Sequence, residues 1–137
     1  MTFLGKFSLP ITMLDEYLGG RILSVTLVGS SLYKKYYNDI DIVVVSDLPE
    51  QQLRKRAQLM YKALEKILYP NTRVLISVNT YDNILKGGNS SSRDSPKLHL
   101  IILAKNTELS EAIRKSWLKN YRTLIGKDLS RVLGLAE

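Results

Sequence analysis

The chain has no cysteine, one histidine, one tryptophan and two phenylalanines among its 137 residues. Without thiols there is no disulfide framework and no thiolate zinc site. No apolar run approaches the roughly 20 residues that a membrane-spanning helix needs. The first residues, Met-Thr-Phe-Leu-Gly-Lys-Phe, lack the charged start, apolar middle and small-residue cleavage site of a signal peptide. A cytoplasmic protein with no membrane partner is the expectation. What remains is ordinary for a globular domain: 45% hydrophobic and 24% charged residues, enough for one domain spanning 1–137 with its own core. The charge is lopsided. Twenty Lys and Arg stand against 13 Asp and Glu, a net +7. Such a surface attracts polyanions, whether nucleic acid or nucleoside triphosphates.

Hydrophobic patterning alternates between helix and strand. Residues 10–18 read as a short helix with Pro10 near its start and Gly19-Gly20 as its stop. Residues 22–28 read as a strand. Residues 40–46 read as a second, because the run is rich in β-branched side chains. Asp47-Leu48-Pro49-Glu50 reads as a helix start, with Asp47 the capping acid. Leu53, Ala57, Met60, Leu64 and Ile67 then recur at steps of four and three, the stripe of an amphipathic helix. Residues 73–79 and 97–104 read as third and fourth strands. The Gly/Ser-rich stretch 86–96 between them reads as a loop. A last helix starts near Thr107. Leu109, Ile113, Trp117, Tyr121 and Leu124 mark its buried face and Gly126 its stop, with a short helical tail over 127–133. The expected fold class is α/β (α+β): a mixed β-sheet of about four strands covered by helices.

The chemistry concentrates at Val28-Gly29-Ser30-Ser31, followed by Asn38-Asp39-Ile40-Asp41-Ile42-Val43. A glycine lets a phosphate approach the backbone, and successive N–H groups in such a turn form an anion nest. Side chains alternate along a strand, so Asp39 and Asp41 are expected to share one face while Ile40 and Ile42 point to a core. Two carboxylates side by side repel unless a cation lies between them. Mg²⁺ takes oxygen ligands and shares them with substrate phosphates.

Gly-Ser, a short spacer and Asp-h-Asp-h, where h is apolar, resembles the signature of the DNA polymerase beta-like nucleotidyltransferase superfamily. The size is that of its minimal nucleotidyltransferases. The resemblance implies a nucleotidyltransferase-like fold with a mixed sheet. It implies that Gly29, Ser30 and Ser31 hold the triphosphate of an NTP and that Asp39 and Asp41 hold Mg²⁺ or Mn²⁺. The activity implied is transfer of a nucleoside monophosphate to an acceptor hydroxyl of a nucleic acid or protein. Minimal members often act with a separate helical partner protein. At this length, such a partner or a second copy of the chain is expected to complete the site.

The chain departs from that family in two places. A third carboxylate belongs on a later strand, but the third strand offers Ser77 and Asn79, and the fourth offers His99. The nearest acids are Asp82 and Asp94, outside both strands. Neutral imidazole takes a proton near pH 7 or ligates a metal, so His99 is the candidate base; a strand histidine satisfied by a local hydrogen bond is the alternative. The second glycine often seen after Gly-Ser is also missing. Lys34 and Lys35 stand there, placed to neutralise phosphates. Tyr33, Tyr36 and Tyr37 flank the same turn and are candidates for stacking on a base. Further on, Lys115, Lys119 and Arg122 would share one face of the last helix and form a nucleic-acid contact surface. The competing function is a nucleotide- or nucleic-acid-binding module on the same fold, with a weakened site. A third reading is a structural protein in which the Asp pair merely caps a strand.

Overall fold

A computed structural model of the chain describes residues 8–28, 39–68, 73–78, 84–87, 97–105 and 107–133. Their order is α1 (Ser8–Tyr17), β1 (Ile22–Val28), β2 (Asp39–Ser46), α2 (Glu50–Leu68), β3 (Arg73–Val78), β4 (Ile84–Gly87), β5 (Lys97–Ala104), α3 (Glu111–Lys119), β6 (Tyr121–Gly126) and α4 (Leu129–Val132). The six strands form one mixed sheet in the order β4-β3-β5-β2-β1-β6. β5 runs parallel to both β2 and β3, and the other pairings are antiparallel. Helices cover both faces, so the α/β class expected from the pattern is the one observed.

The central strands explain themselves. Ile42 to Val45 on β2 and Leu98 to Leu103 on β5 are near-continuous apolar runs interrupted only by His99, and all these residues are buried. Strands buried on both faces need apolar side chains at every position, not alternate ones. On one face, Ile42, Val44, Leu98, Leu100 and Ile102 pack with Met13 and Leu14 of α1 and with Leu53, Ala57, Met60 and Leu64 of α2. The expected stripe of α2 is therefore the core face through Leu64. Each such leucine contributes about 1.5–3 kcal/mol by leaving water. On the other face, Val28, Val43, Val45, Ile101 and Leu103 pack with Trp117 of α3 and Leu129 of α4.

Local chemistry sets the ends of the elements. Gly19 and Gly20 both have positive φ, 62° and 71°, and stop α1 as expected. The guanidinium of Arg56 on α2 donates to the Tyr17 carbonyl at 3.1 Å, tying the two helices together. Ser110 caps α3 by accepting from the Ile113 N–H at 3.2 Å.

Several boundaries differ from the sequence expectation. Asp47 does not cap α2. Its carboxylate is held by Arg21 and Lys105, each at 2.6 Å, while the Leu48 N–H donates to Ser46 Oγ at 3.1 Å. The last helix ends at Lys119, not beyond Leu124. Tyr121 to Gly126 form an edge strand on β1 instead. Trp117, Tyr121 and Leu124 fit helical spacing by coincidence. The strand wins because Tyr, Thr and Ile suit it and because it pairs the exposed edge of β1. Gly126 ends that strand and not a helix. Its φ is +82°, and a Cβ there would lie 2.4 Å from the Leu23 carbonyl oxygen. Residues 86 and 87 belong to β4 and not to a loop, and the rest of the expected loop, 88–96, lies outside the described residues. β4 and β6 bring the strand count to six, against the expected four or so.

Candidate functional site

Strand register places the site. β1 and β5 flank β2, so Asp41 lies opposite Val28 on one side and His99 on the other. A one-residue slip would bury every outward side chain and expose the core. The Ile42–Leu100 and Val44–Ile102 pairs, packed against α1 and α2, hold the register. Asp41 and His99 therefore share the α3/α4 face of the sheet. They stand on the row next to Val43 and Ile101.

The only histidine of the chain thus sits beside the second aspartate of the motif. His99 Nδ1 is 3.7 Å from Asp41 Oδ1, longer than a hydrogen bond. On the other edge of the ring, His99 Nε2 is 2.5 Å from Ser77 Oγ on β3. The three residues cross three adjacent strands: Ser77 on β3, His99 on β5 and Asp41 on β2. Burial grades along the line. Ser77 is fully buried, the His99 side chain is 4% exposed, and the Asp41 side chain is 34% exposed. Solvent and ligands reach the trio from the aspartate end. A fully buried hydroxyl cannot act on a substrate from solvent, so Ser77 serves to orient the imidazole.

The remaining candidates divide into three groups. Asp39 opens β2 opposite Lys97, with its side chain outside the described set. Gly29, Ser30, Ser31, Lys34 and Lys35 lie outside the described residues, as do Tyr33, Tyr36, Tyr37, Asp82 and Asp94. Val28 immediately precedes Gly29 and is the cross-strand neighbour of Asp41, so β1 delivers the chain to the glycine at the level of the carboxylate. Lys115 and Lys119 are exposed on α3, but Arg122 lies on β6. The expected three-residue helical face is therefore two residues of a helix and one of an edge strand. Lys115 also pairs with Glu111 at 3.1 Å. Arg114, Lys115 and Lys119, with Leu109 and Leu118, line an open groove of about 660 Å³. Tyr121, which opens β6, is in register with Val28. The end of α3 thus lies at the Asp41 end of the sheet, two strand spacings or about 10 Å across.

Two other carboxylates show what ion pairing does elsewhere. Lys105 and then Arg21 lower the Asp47 pKa to about 2. The Ser130 hydroxyl and then the Tyr121 hydroxyl, at 2.8 Å, hold the Asp128 carboxyl below its ordinary range at the start of α4. Both are structural: Asp47 ties β2 to the segments before β1 and after β5, and Asp128 ties α4 to β6.

Sequence reasoning selected Asp41 and His99 separately and passed over the role of Ser77. The signal for Ser77 was a lone hydroxyl in the run Val-Leu-Ile-Ser-Val, but its partner was decided by the insertion of β5 beside β3. Among the described residues, no group of three or more His, Cys, Asp or Glu side chains is arranged to hold a metal. None of the described helices is long and apolar enough to cross a membrane. No protein-family model, no curated protein and no solved structure matches the chain.

Proposed function

We propose that the protein is a minimal nucleotidyltransferase that moves a nucleoside monophosphate from an NTP to an acceptor hydroxyl and releases pyrophosphate. The observation that carries this reading is the juxtaposition of Asp41 and His99 at the open end of β2, with β1 arriving beside them at Val28-Gly29. The resemblance asks for a third acidic group on a strand neighbouring the Asp-h-Asp strand. His99 occupies such a position, and an imidazole can accept the acceptor's proton where a carboxylate otherwise would.

In this reading Gly29, Ser30 and Ser31 cradle the triphosphate through backbone N–H groups and hydroxyls. Lys34 and Lys35 offset its charge. Asp39 and Asp41 would hold Mg²⁺ or Mn²⁺, whose chemistry is to neutralise phosphate oxygens and align them for in-line displacement. Asp41 is half-exposed at the mouth of the site, which suits a ligand shared with a substrate. Ser77 holds His99 in place. The acceptor is a polyanion or a protein bound near α3, where Lys115 and Lys119 are exposed, and a separate helical partner or a second copy completes the enclosure. A cytoplasmic setting is part of the proposal.

The second reading, a nucleotide- or nucleic-acid-binding module, is favoured by one observation: histidine stands where a third carboxylate would. The deciding assay uses labelled NTP with RNA ends and co-purifying proteins as acceptors, scored by pyrophosphate release and label transfer. We expect metal-dependent transfer that Asp41→Asn abolishes in a folded protein. With His99 as base, the rate rises through a pKa near ~6.5, and His99→Ala flattens the rise. NTP binding without transfer to any acceptor selects the module.

A further inference from the structure

We infer that Asp41 and His99 form a mixed oxygen–nitrogen cation site that selects a zinc-class transition ion over Mg²⁺. The inference rests on the proposed reading only in taking Asp41 as a cation ligand. It goes beyond that reading in the identity of the cation and in making His99 Nδ1 a ligand.

Three observations carry it. The first is spacing. Two ligands about 2.1 Å from one ion stand about 3.4 Å apart in tetrahedral coordination and about 3.0 Å apart at adjacent octahedral corners. The observed 3.7 Å between Asp41 Oδ1 and His99 Nδ1 is close to the first and well beyond the second. It is too long for a direct hydrogen bond, yet an ion between the two atoms needs only a few tenths of an ångström of closure.

The second observation is the support behind the ring. Metal-ligating histidines donate the other ring N–H to a fixed acceptor, which sets tautomer and orientation. Ser77 Oγ lies 2.5 Å from His99 Nε2 on a buried central strand. When Nε2 carries the proton and donates to that oxygen, the Nδ1 lone pair is turned to the Asp41 side. A hydroxyl suits this place because it donates or accepts by rotation, so the ring can exchange tautomers as an ion arrives.

The third observation is the donor set. Imidazole favours Zn²⁺ and its neighbours, whereas all-oxygen sites favour Mg²⁺. The chain has no cysteine and one histidine, so His99 is the only side chain bearing an imidazole or thiol ligand. Any imidazole–metal contact in the molecule must be this one. The burial gradient leaves Asp41 as the entrance and His99 as the inner ligand. Water, Asp39 or a bound phosphate supplies the remaining positions.

The test uses the full chain without nucleotide. Protein labelled with ¹⁵N-histidine gives one pair of ring resonances, because there is one ring. On titration with Zn²⁺ alone, we expect the Nδ1 resonance to move while Nε2 keeps the character of a protonated nitrogen. Calorimetry should give Zn²⁺ at least about 100-fold tighter than Mg²⁺. His99→Asn and Asp41→Asn should each weaken Zn²⁺ binding more than about tenfold, and His99→Asn should bring the two ions to similar affinity. Zn²⁺ binding that leaves Nδ1 unmoved, or Mg²⁺ displacing Zn²⁺ at equal concentration, overturns the inference. The wild-type resonances decide the matter even where a variant fails to fold. Failures remain separable. Mg²⁺-dependent transfer with no Nδ1 shift removes this inference and keeps the enzyme. An Nδ1-bound ion with no NTP binding does the reverse.

Discussion

On the α1/α2 side of the sheet, β2 contributes Ile42 and Val44, β5 contributes Leu98, Leu100 and Ile102, and β3 contributes Ile76 and Val78, all into one apolar cluster. On the α3/α4 side, the same strands contribute Asp41, His99 and Ser77 as well as Val43, Val45, Ile101 and Leu103. Ser24 and Thr26 of β1 face this side too and bond to one another at 2.9 Å. Of the five buried polar residues described, only Ser46 falls on the apolar side. One face is therefore an oil-like interior that sets register, and the other is a polar interior that the register positions. Apolar burial is non-directional and tolerates repacking. Hydrogen-bonded polar rows are directional and depend on a scaffold they do not themselves build.

The largest effect should come from the apolar face. Leu100→Ala is expected to cost about 2–5 kcal/mol in urea unfolding. Asp41→Asn, two strand positions away in register and on the other face, should leave stability unchanged or slightly raised. Equal losses from both would erase the distinction between faces.

A mid-sized effect tests the polar side. Ser77→Ala takes a hydroxyl from a buried imidazole and should cost about 1–3 kcal/mol. The double variant Ser77→Ala/His99→Leu replaces both partners with apolar groups and should recover most of that loss. A coupling of about 1 kcal/mol or more in the four-variant cycle sharpens the comparison. Additive losses would mean that the pair contributes packing alone.

The smallest effect lies at the far end of β2. The Asp47 pKa is lowered to about 2 from 3.8. A depressed folded-state pKa adds stability that is present above the unfolded value near 3.8 and lost as pH falls through about 2. Acid unfolding between pH 4 and 2 should thus be less steep in Asp47→Asn. High salt should shrink the difference, because the pair is exposed and screened. An identical acid slope in the variant would show that Arg21 and Lys105 do not hold this carboxylate in solution.

The two faces were not equally legible in the sequence. The apolar face could be read because its signals are periodic: the α2 stripe from Leu53 to Leu64, the β-branched run of β2 and the Leu98–Leu103 run of β5. Trp117 was correctly placed in the core. β6 was misread because Trp117, Tyr121 and Leu124 fit a helix as well as they fit what forms. Only the open edge of β1 decides between them, and that edge is a tertiary fact. The candidate site was half legible. Asp41 announces itself by its spacing from Asp39, and His99 by being unique. That they touch the same space, with Ser77 behind, depends on β5 lying between β2 and β3, and strand order is not written in any local pattern.

That strand order has a consequence in time. β2 and β3 are synthesised well before β5, the strand that joins them, and no pairing between β2 and β3 is available as a substitute in the order β4-β3-β5-β2-β1-β6. On an emerging chain, the hairpin of β1 and β2 and the hairpin of β3 and β4 can each close early, since their contacts are local. Each then waits with one bare edge of unpaired N–H and C=O groups, the kind of edge that invites foreign strands. Arrival of β5 zips both edges at once, and the same event carries His99 to Asp41 and Ser77. The site is assembled by the last act of sheet closure, so a chain able to show it has already passed through its most aggregation-prone moment.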